Sequence, residues 1–249
     1  MLKNPKTAIV LPAYNAEKTL YKTLADIPYE YVDFLILVDD KSKDDTVKVA
    51  KGIREQEIFI NKENFYIIEL PQNLGYGGNQ KACYDKALIL GADIIIMLHP
   101  DYQYDPKAIK DFAKSFNETG ADVVLGSRIR NRTESISGGM PIYKYYSNRF
   151  LSSLQNLVTG ENLSEWHTGM RAYKREVLEN IKYKNFSNDF IFDTEMLLSI
   201  VARKYKIGEV AVPVRYFEEA SSINFKRSLR YGLLTFFYTL KYLFGKYKD

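Results

Sequence analysis

Residues 94–106, Ile-Ile-Ile-Met-Leu-His-Pro-Asp-Tyr-Gln-Tyr-Asp-Pro, set metal-ligating side chains directly after an apolar run. Ile94 to Leu98 reads as a fully buried strand. His99, Asp101 and Gln103 then fall at its carboxyl end, where open α/β sheets bind their ligands. Hard oxygen donors there suit a divalent cation carrying a diphosphate. The same residues also fit a plain polar turn, and taken alone the stretch does not choose.

Three further stretches fall at expected strand ends. In Pro12-Ala13-Tyr14-Asn15-Ala16-Glu17, Tyr14 offers a face for stacking a base, and Glu17 sits in the first turn of the next helix. A capping box accounts for part of that pattern. In Val38-Asp39-Asp40, two adjacent carboxylates are costly side by side unless they bind donors or a cation. One can accept from a ribose hydroxyl or base N–H while the other orients the loop. Asp44 and Thr46 serve the start of the next helix. In Gln72-Asn73-Leu74-Gly75-Tyr76-Gly77-Gly78-Asn79, three glycines before a helix resemble a phosphate-cradling loop. The stretch lacks the Lys-Ser/Thr of a P-loop and the spacing of a dinucleotide fingerprint.

The elements that must position these residues alternate. Strands are expected at 7–11, 34–38, 65–70, 94–98 and 123–126, with helices at 16–25 (capped by Asn15), 44–55, 78–90 and 106–116. Repeated βα units of this length predict a three-layer αβα sandwich with a mostly parallel central sheet. The rhythm then stops. Residues 128–140 read as a long polar loop, 142–158 as a tyrosine-rich helix, 161–173 as irregular, 192–205 as a helix, 207–212 as a strand and 228–247 as a long aromatic helix.

A chain of 249 residues, 46% hydrophobic, can bury one sizeable α/β domain. The organisation expected is a domain over 1–225 and a basic, aromatic helix over 226–249. The single cysteine, Cys83, excludes a disulfide framework and a multi-cysteine metal site. The N-terminus runs straight into a strand, which reads as no signal peptide, and no apolar run is long enough to span a membrane. Residues 226–249 hold six basic residues against Asp249, a net +5 that leaves −1 for the rest of a chain whose net charge is +4. Basic character confined to the tail argues against a nucleic-acid-binding face and for a local anionic partner. The 142–158 and 228–247 helices carry apolar, aromatic faces with basic edges. These fit a membrane surface, packing on the body, a homodimer interface or a separate membrane partner.

Six elements in order, Pro-Ala-Tyr-Asn, Val-Asp-Asp-x-Ser-x-Asp-x-Thr, Asn-x-Gly-x-Gly-Gly-Asn, His-Pro-Asp-Tyr-Gln-Tyr-Asp-Pro, Gly126-Ser127-Arg128 and His167-Thr168-Gly169-Met170-Arg171-Ala172-Tyr173, resemble a family 2 glycosyltransferase of GT-A fold. The similarity covers roughly residues 6–217 and is greatest to the polyprenyl-phosphate sugar synthase branch, typified by dolichyl-phosphate mannose synthase. The resemblance implies that Pro12, Tyr14, Glu17, Val38 and Asp40 line the nucleotide, with Gly75, Asn79 and Pro100 in the same site. It implies that Asp101 is the key metal carboxylate for Mg²⁺ or Mn²⁺, supported by Gln103, and that Arg128 meets a donor or acceptor phosphate. Glu165 falls at the acidic position near the acceptor. Two departures stand out: His99 replaces the first aspartate of an Asp-x-Asp element, and Glu165 stands where aspartate is usual.

The implied reaction is inverting transfer from a UDP- or GDP-sugar to a lipid phosphate or a glycan hydroxyl, in cell-envelope glycan synthesis. A hydroxyl acceptor needs a general base, for which Glu165 and His167 are candidates; a phosphate needs none. The implied location is cytoplasmic, or peripheral on the inner face of the membrane. A nucleotidyltransferase and a non-catalytic nucleotide-sugar-binding subunit are the alternatives. The first would carry Gly, Arg and Lys directly after strand one, which 12–17 lacks; His99 in place of aspartate keeps the second in play.

Overall fold

The computed structural model describes residues 5–129, 139–215 and 225–247. Seven strands form one sheet: β1 (Thr7–Ala13), β2 (Phe34–Asp39), β3 (Phe65–Glu69), β4 (Ile94–Met97), β5 (Val123–Ser127), β6 (Arg171–Lys174) and β7 (Ile207–Ala211), in the order β3-β2-β1-β4-β6-β5-β7. Strand β6 runs antiparallel to β4 and β5, and the other pairings are parallel. The sheet is therefore mostly parallel, as its sequence pattern predicts.

The central strands β1, β2 and β4 are apolar runs because both faces are covered. Alternate residues of β1 show the division. Ala8 and Val10 join a core with α3 (Gly75–Ile89) and α7 (Phe192–Ala202), through Cys83, Tyr84, Met196 and Leu197. Ile9 and Leu11 face α1 (Glu17–Ala25), α2 (Thr46–Glu55) and α4 (Ile109–Thr119), through Leu20, Leu24, Ile53 and Phe112. Helix α6 (Arg175–Asn180) follows β6. Helices α5 (Ile142–Thr159) and α8 (Phe225–Leu243) pair with each other, and α8 also packs on α7.

Two local expectations are corrected. Residues 161–173 are not wholly irregular, because β6 begins at Arg171. Its four residues include two cations and no apolar run, so the usual strand signal is missing. The buried Arg171 guanidinium is satisfied by the carbonyls of Thr168, Asp193 and Trp166 at 2.8–3.1 Å. Asn15 does not cap α1: it has φ of 52°, and its side chain accepts from the Lys43 N–H at 2.8 Å. Most of the expected 128–140 loop lies outside the described residues.

Candidate active site

The carboxyl ends of β1, β2 and β4 open into a cavity of about 1270 Å³, with walls completed by α5, α8 and the start of α7. Pro12, Tyr14, Asp40, Gly75, Asn79, His99, Pro100, Asp101, Gln103 and Arg128 all line it. Thus ten of the residues singled out in the sequence, drawn from five separate stretches, meet at one place. Val38, Glu17 and Glu165 are not on its wall. Val38 is a core residue whose carbonyl accepts from Asn79 at 3.1 Å. Glu17 reaches the Asp45 N–H of the neighbouring loop at 3.2 Å.

Loop stitching sets the end of the cavity at β1 and β2. Asn15 and Ala16 donate their N–H groups to Ser42 and Thr46 at 2.9 and 2.7 Å, tying the loop after β1 to the loop after β2. Asn79 ties the strands themselves, donating to the carbonyls of Ala13 and Val38. The Asp40 carboxylate accepts from the N–H groups of Leu74 and Gly75 at 2.6 and 3.0 Å. Burial and the adjacent Asp39 raise its pKa, against those two bonds. Asp40 is therefore the loop-orienting member of the pair. Asp39 accepts from Ser42 through Oδ2, and its buried Oδ1 has no partner among the described residues.

The glycine-rich stretch departs from its expected role. The N–H of Gly75 is taken by Asp40 and Asn73, and that of Gly77 by the Asn188 carbonyl at 2.7 Å. These donors are spent inside the protein. The glycines instead admit close approach: a Cβ on Gly77 would stand 2.5 Å from the Ser187 carbonyl oxygen.

At the middle of the cavity, the loop after β4 carries His99, Asp101 and Gln103. Asp101 Oδ1 accepts from the Gln103 N–H at 3.0 Å. Tyr102 at φ 58° turns this loop, its hydroxyl bonded to Asp26. Tyr76 donates to Asp193 at 2.7 Å and lies 3.2 Å from His99 Nε2. Since the tyrosine proton goes to Asp193, His99 Nε2 carries a hydrogen and donates it to Tyr76. That nitrogen is withdrawn from metal binding. Among the described residues no group of three His, Cys, Asp or Glu side chains could enclose a cation. On the loop after β4 one carboxylate, Asp101, lines the cavity with Gln103 beside it; this fits a Mg²⁺ or Mn²⁺ ion that brings diphosphate and water oxygens with it, and does not fit a cage binding the metal alone.

The far end is cationic. Arg128 makes a fork with the fully buried Glu165: Nε and Nη2 donate to Oε1, and the Arg128 N–H donates to Oε2 at 2.7 Å. Nη2 also donates to the His167 carbonyl at 2.6 Å, and the guanidinium lies 5.8 Å from the Tyr104 ring centre. Lys144 of α5 lines the same space with no ion-pair partner among the described residues; burial and Arg128 lower its pKa. His167 Nδ1 lies 2.9 Å from Tyr231 Oη of α8. Burial, with Arg128 and Arg171 nearby, brings its pKa down to about 3. Of the two candidate bases, Glu165 is held by a guanidinium and lies off the cavity wall, and burial beside two arginines makes His167 a weak proton acceptor. Tyr76, Lys144 and Tyr231 escaped the sequence reading, in which Asp193 on the helix from Phe192 has a supporting role; for Tyr231 there was no signal.

Beyond Lys144 the cavity continues between α5 and α8, lined by Phe150, Leu151, Leu154, Leu229, Leu233 and Phe236. Both helices turn their polarity inward. Ser152, Gln155, Thr235 and Thr239 are buried, while Phe150, Leu157, Leu233 and Leu243 are exposed at 57–82%.

Comparison with known proteins agrees with this architecture. The chain is 29% identical over 248 residues to a UDP-N-acetylglucosamine–dolichyl-phosphate N-acetylglucosaminyltransferase of Methanococcus voltae, covering 97% of each chain. It is 30% identical to an undecaprenyl-phosphate 4-deoxy-4-formamido-L-arabinose transferase of Photorhabdus laumondii, covering 92% of this chain and 67% of that one. Its fold matches glucosyl-3-phosphoglycerate synthase from Mycobacterium tuberculosis, solved with Mn²⁺, UDP and product, at a TM-score of 0.67 and 17% identity over 94% of this chain and 80% of that one. The GT-A architecture implied by the six sequence elements is thereby shown. The model of glycosyl transferase family 2 matches residues 8–182, and the chain belongs to that family.

Proposed function

We propose that this glycosyltransferase moves a sugar from a nucleoside diphosphate sugar to the phosphate of a polyprenyl lipid, working against a membrane surface. The observation that carries the reading is the single cavity that runs from the polar strand ends at Asp40 and Asp101, past Arg128 and Lys144, into an apolar groove between α5 and α8. A phosphate headgroup fits the cationic middle and a prenyl chain fits the groove. The names of the two relatives above, both lipid-phosphate sugar transferases, support the same acceptor class.

The chemistry is consistent with it. A phosphate acceptor is already anionic and attacks without a strong base. Glu165 and His167 need not act as bases, and their partners suit other work. Glu165 holds Arg128 in a fixed fork, and Arg128 and Lys144 offset the charge of the incoming phosphate. Asp101, with Gln103, would hold the divalent cation, which neutralises charge on the leaving diphosphate when bound. Tyr14 and the strand ends around Pro12 and Asn79 receive the nucleotide. A glycan hydroxyl is the weaker alternative because it needs a general base, and the two candidates, Glu165 and His167, are held by Arg128 and by Tyr231.

The two inside-out helices support membrane docking. Residues 142–159 and 225–243 contain no Asp or Glu and six Lys or Arg, which complements an anionic leaflet. The outward Leu and Phe side chains suit the acyl boundary. Among the described residues no helix is long and apolar enough to cross a membrane. The test is to incubate the protein and Mg²⁺ or Mn²⁺ with labelled UDP- and GDP-sugars, starting with UDP-N-acetylglucosamine, and either a short prenyl phosphate or a soluble oligosaccharide. Label entering the prenyl phosphate supports the reading. Label entering only the oligosaccharide overturns it.

A further inference from the structure

His167 lines the cavity beside Arg128, and its two ring nitrogens are treated differently. Nδ1 lies 2.9 Å from Tyr231 Oη, which in turn lies 3.2 Å from Thr194 Oγ1. Nε2 is buried and has no hydrogen-bond partner among the described residues. An orphaned ring nitrogen at a cavity wall is costly unless a ligand completes it. Either hydroxyl of the Tyr231–Thr194 pair can donate; the arrangement in which Thr194 donates to Tyr231 and Tyr231 donates to Nδ1 places the ring proton on Nε2.

We propose that His167 is a neutral hydrogen-bond donor, presenting Nε2–H to a phosphoryl oxygen, and that Tyr231 of α8 is the positioning residue that fixes this tautomer. The assignment rests on the sugar-transfer reading above for its ligand class. The surroundings favour an anionic oxygen: Arg128 donates to the His167 carbonyl, and Lys144 lines the same space. The low proton affinity of the ring keeps it neutral, so it donates without repelling the neighbouring guanidinium. The phosphoryl oxygen has two sources, the donor's diphosphate and the acceptor's phosphate. Because Tyr231 belongs to α8, the helix that walls the apolar groove also sets the donor at the reacting end.

The chain has two histidines, His99 and His167, so a nitrogen-15 NMR spectrum of histidine-labelled protein is simple, and His167→Gln assigns it. At neutral pH the expected signal for His167 is a neutral ring protonated at Nε2. Adding UDP with Mg²⁺ shifts Nε2 if the diphosphate is the ligand; adding a short prenyl phosphate shifts it if the acceptor is. Tyr231→Phe removes the bond to Nδ1 and mixes the tautomers. In kinetics, His167→Leu raises the KM of whichever substrate shifts the signal by about ten- to a hundredfold, the weight of a hydrogen bond to a charged oxygen. His167→Gln, which keeps an N–H near the same point, recovers most of that loss. A ring protonated at Nδ1, no response to either ligand, or equal kinetics for the Leu and Gln variants would overturn the assignment. If the wild-type protein transfers sugar to no lipid phosphate, the proposed function fails instead, and the tautomer and the UDP titration still read on His167.

Discussion

Asp101, Arg128, Glu165 and His167 make sense only with their partners. Asp101→Asn removes the carboxylate that the loop after β4 places on the cavity wall, the proposed metal ligand. Loss of metal-assisted charge neutralisation is worth several kcal/mol, so transfer should fall by at least about a hundredfold. Calorimetry should show UDP binding that no longer depends on the cation, with an unchanged melting temperature; retained activity would remove Asp101 from the site. Glu165→Ala leaves the Arg128 guanidinium without its fork in a closed environment. Breaking a buried ion pair from one side costs about 3–5 kcal/mol, measurable as a shift in the urea midpoint, and activity should fall with it. His167 predicts a pH dependence of stability. Its pKa drops from an ordinary 6.5 to about 3 on folding. The unfolded chain therefore takes up a proton near pH 6.5 that the folded chain refuses until near pH 3. Its contribution is complete above pH 6.5 and is lost as the pH falls toward 3. The wild type should lose more stability across that window than His167→Gln; equal slopes in urea melts at stepped pH would contradict the buried neutral ring.

Among the elements, α3 and β5 show how small residues set distance. The first turn of α3 lies so near the 187–192 segment that a Cβ at Gly77 would also meet Phe192 Cβ at 2.7 Å. Gly126 in β5 is closed in by Val212 and Phe112 at 2.8 and 2.9 Å. Alanine at either position must displace packed neighbours, and overpacking of this kind costs about 1–3 kcal/mol. Thermal melts of Gly77→Ala and Gly126→Ala should both fall, whereas Gly52→Ala, with open space at the Cβ position, should hold or rise. The helices and parallel strands were legible because burial on both sheet faces requires continuous apolar runs, and βα units repeat them. Strand β6 was not legible. It is held by register with β4 and β5 and by carbonyls that satisfy Arg171, none of which leaves a local pattern. The glycine run misled for a related reason. Three glycines before a helix fit a phosphate cradle, but the N–H groups of Gly75 and Gly77 are taken by Asp40, Asn73 and Asn188.

For the molecule as a whole, the paired faces of α5 and α8 carry the membrane proposal, and the protein should co-sediment with vesicles containing anionic phospholipid. Leu157→Asp with Leu243→Asp places two charges on exposed positions outside the groove and should reduce the bound fraction by more than about tenfold, since each buried large apolar side chain is worth roughly 1.5–3 kcal/mol. Raised salt should weaken binding in the wild type, because screening shortens the reach of the basic edges. Equal binding by the double variant, with its fold intact by circular dichroism, would remove these helices as the dock. The sequence by itself determined the αβα class, the four strand-end stretches, the family resemblance and the basic aromatic tail, because periodicity, strand-end chemistry and charge are local properties written in consecutive residues. Only the tertiary structure decided that Asp40 orients a loop, that His99 spends Nε2 on Tyr76, that Glu165 lies behind Arg128 rather than on the cavity wall, and that Tyr231 reaches His167 from a helix 64 residues further on. Those are pairings between distant segments, and a side chain's role in a closed space follows from which partner takes its proton or charge.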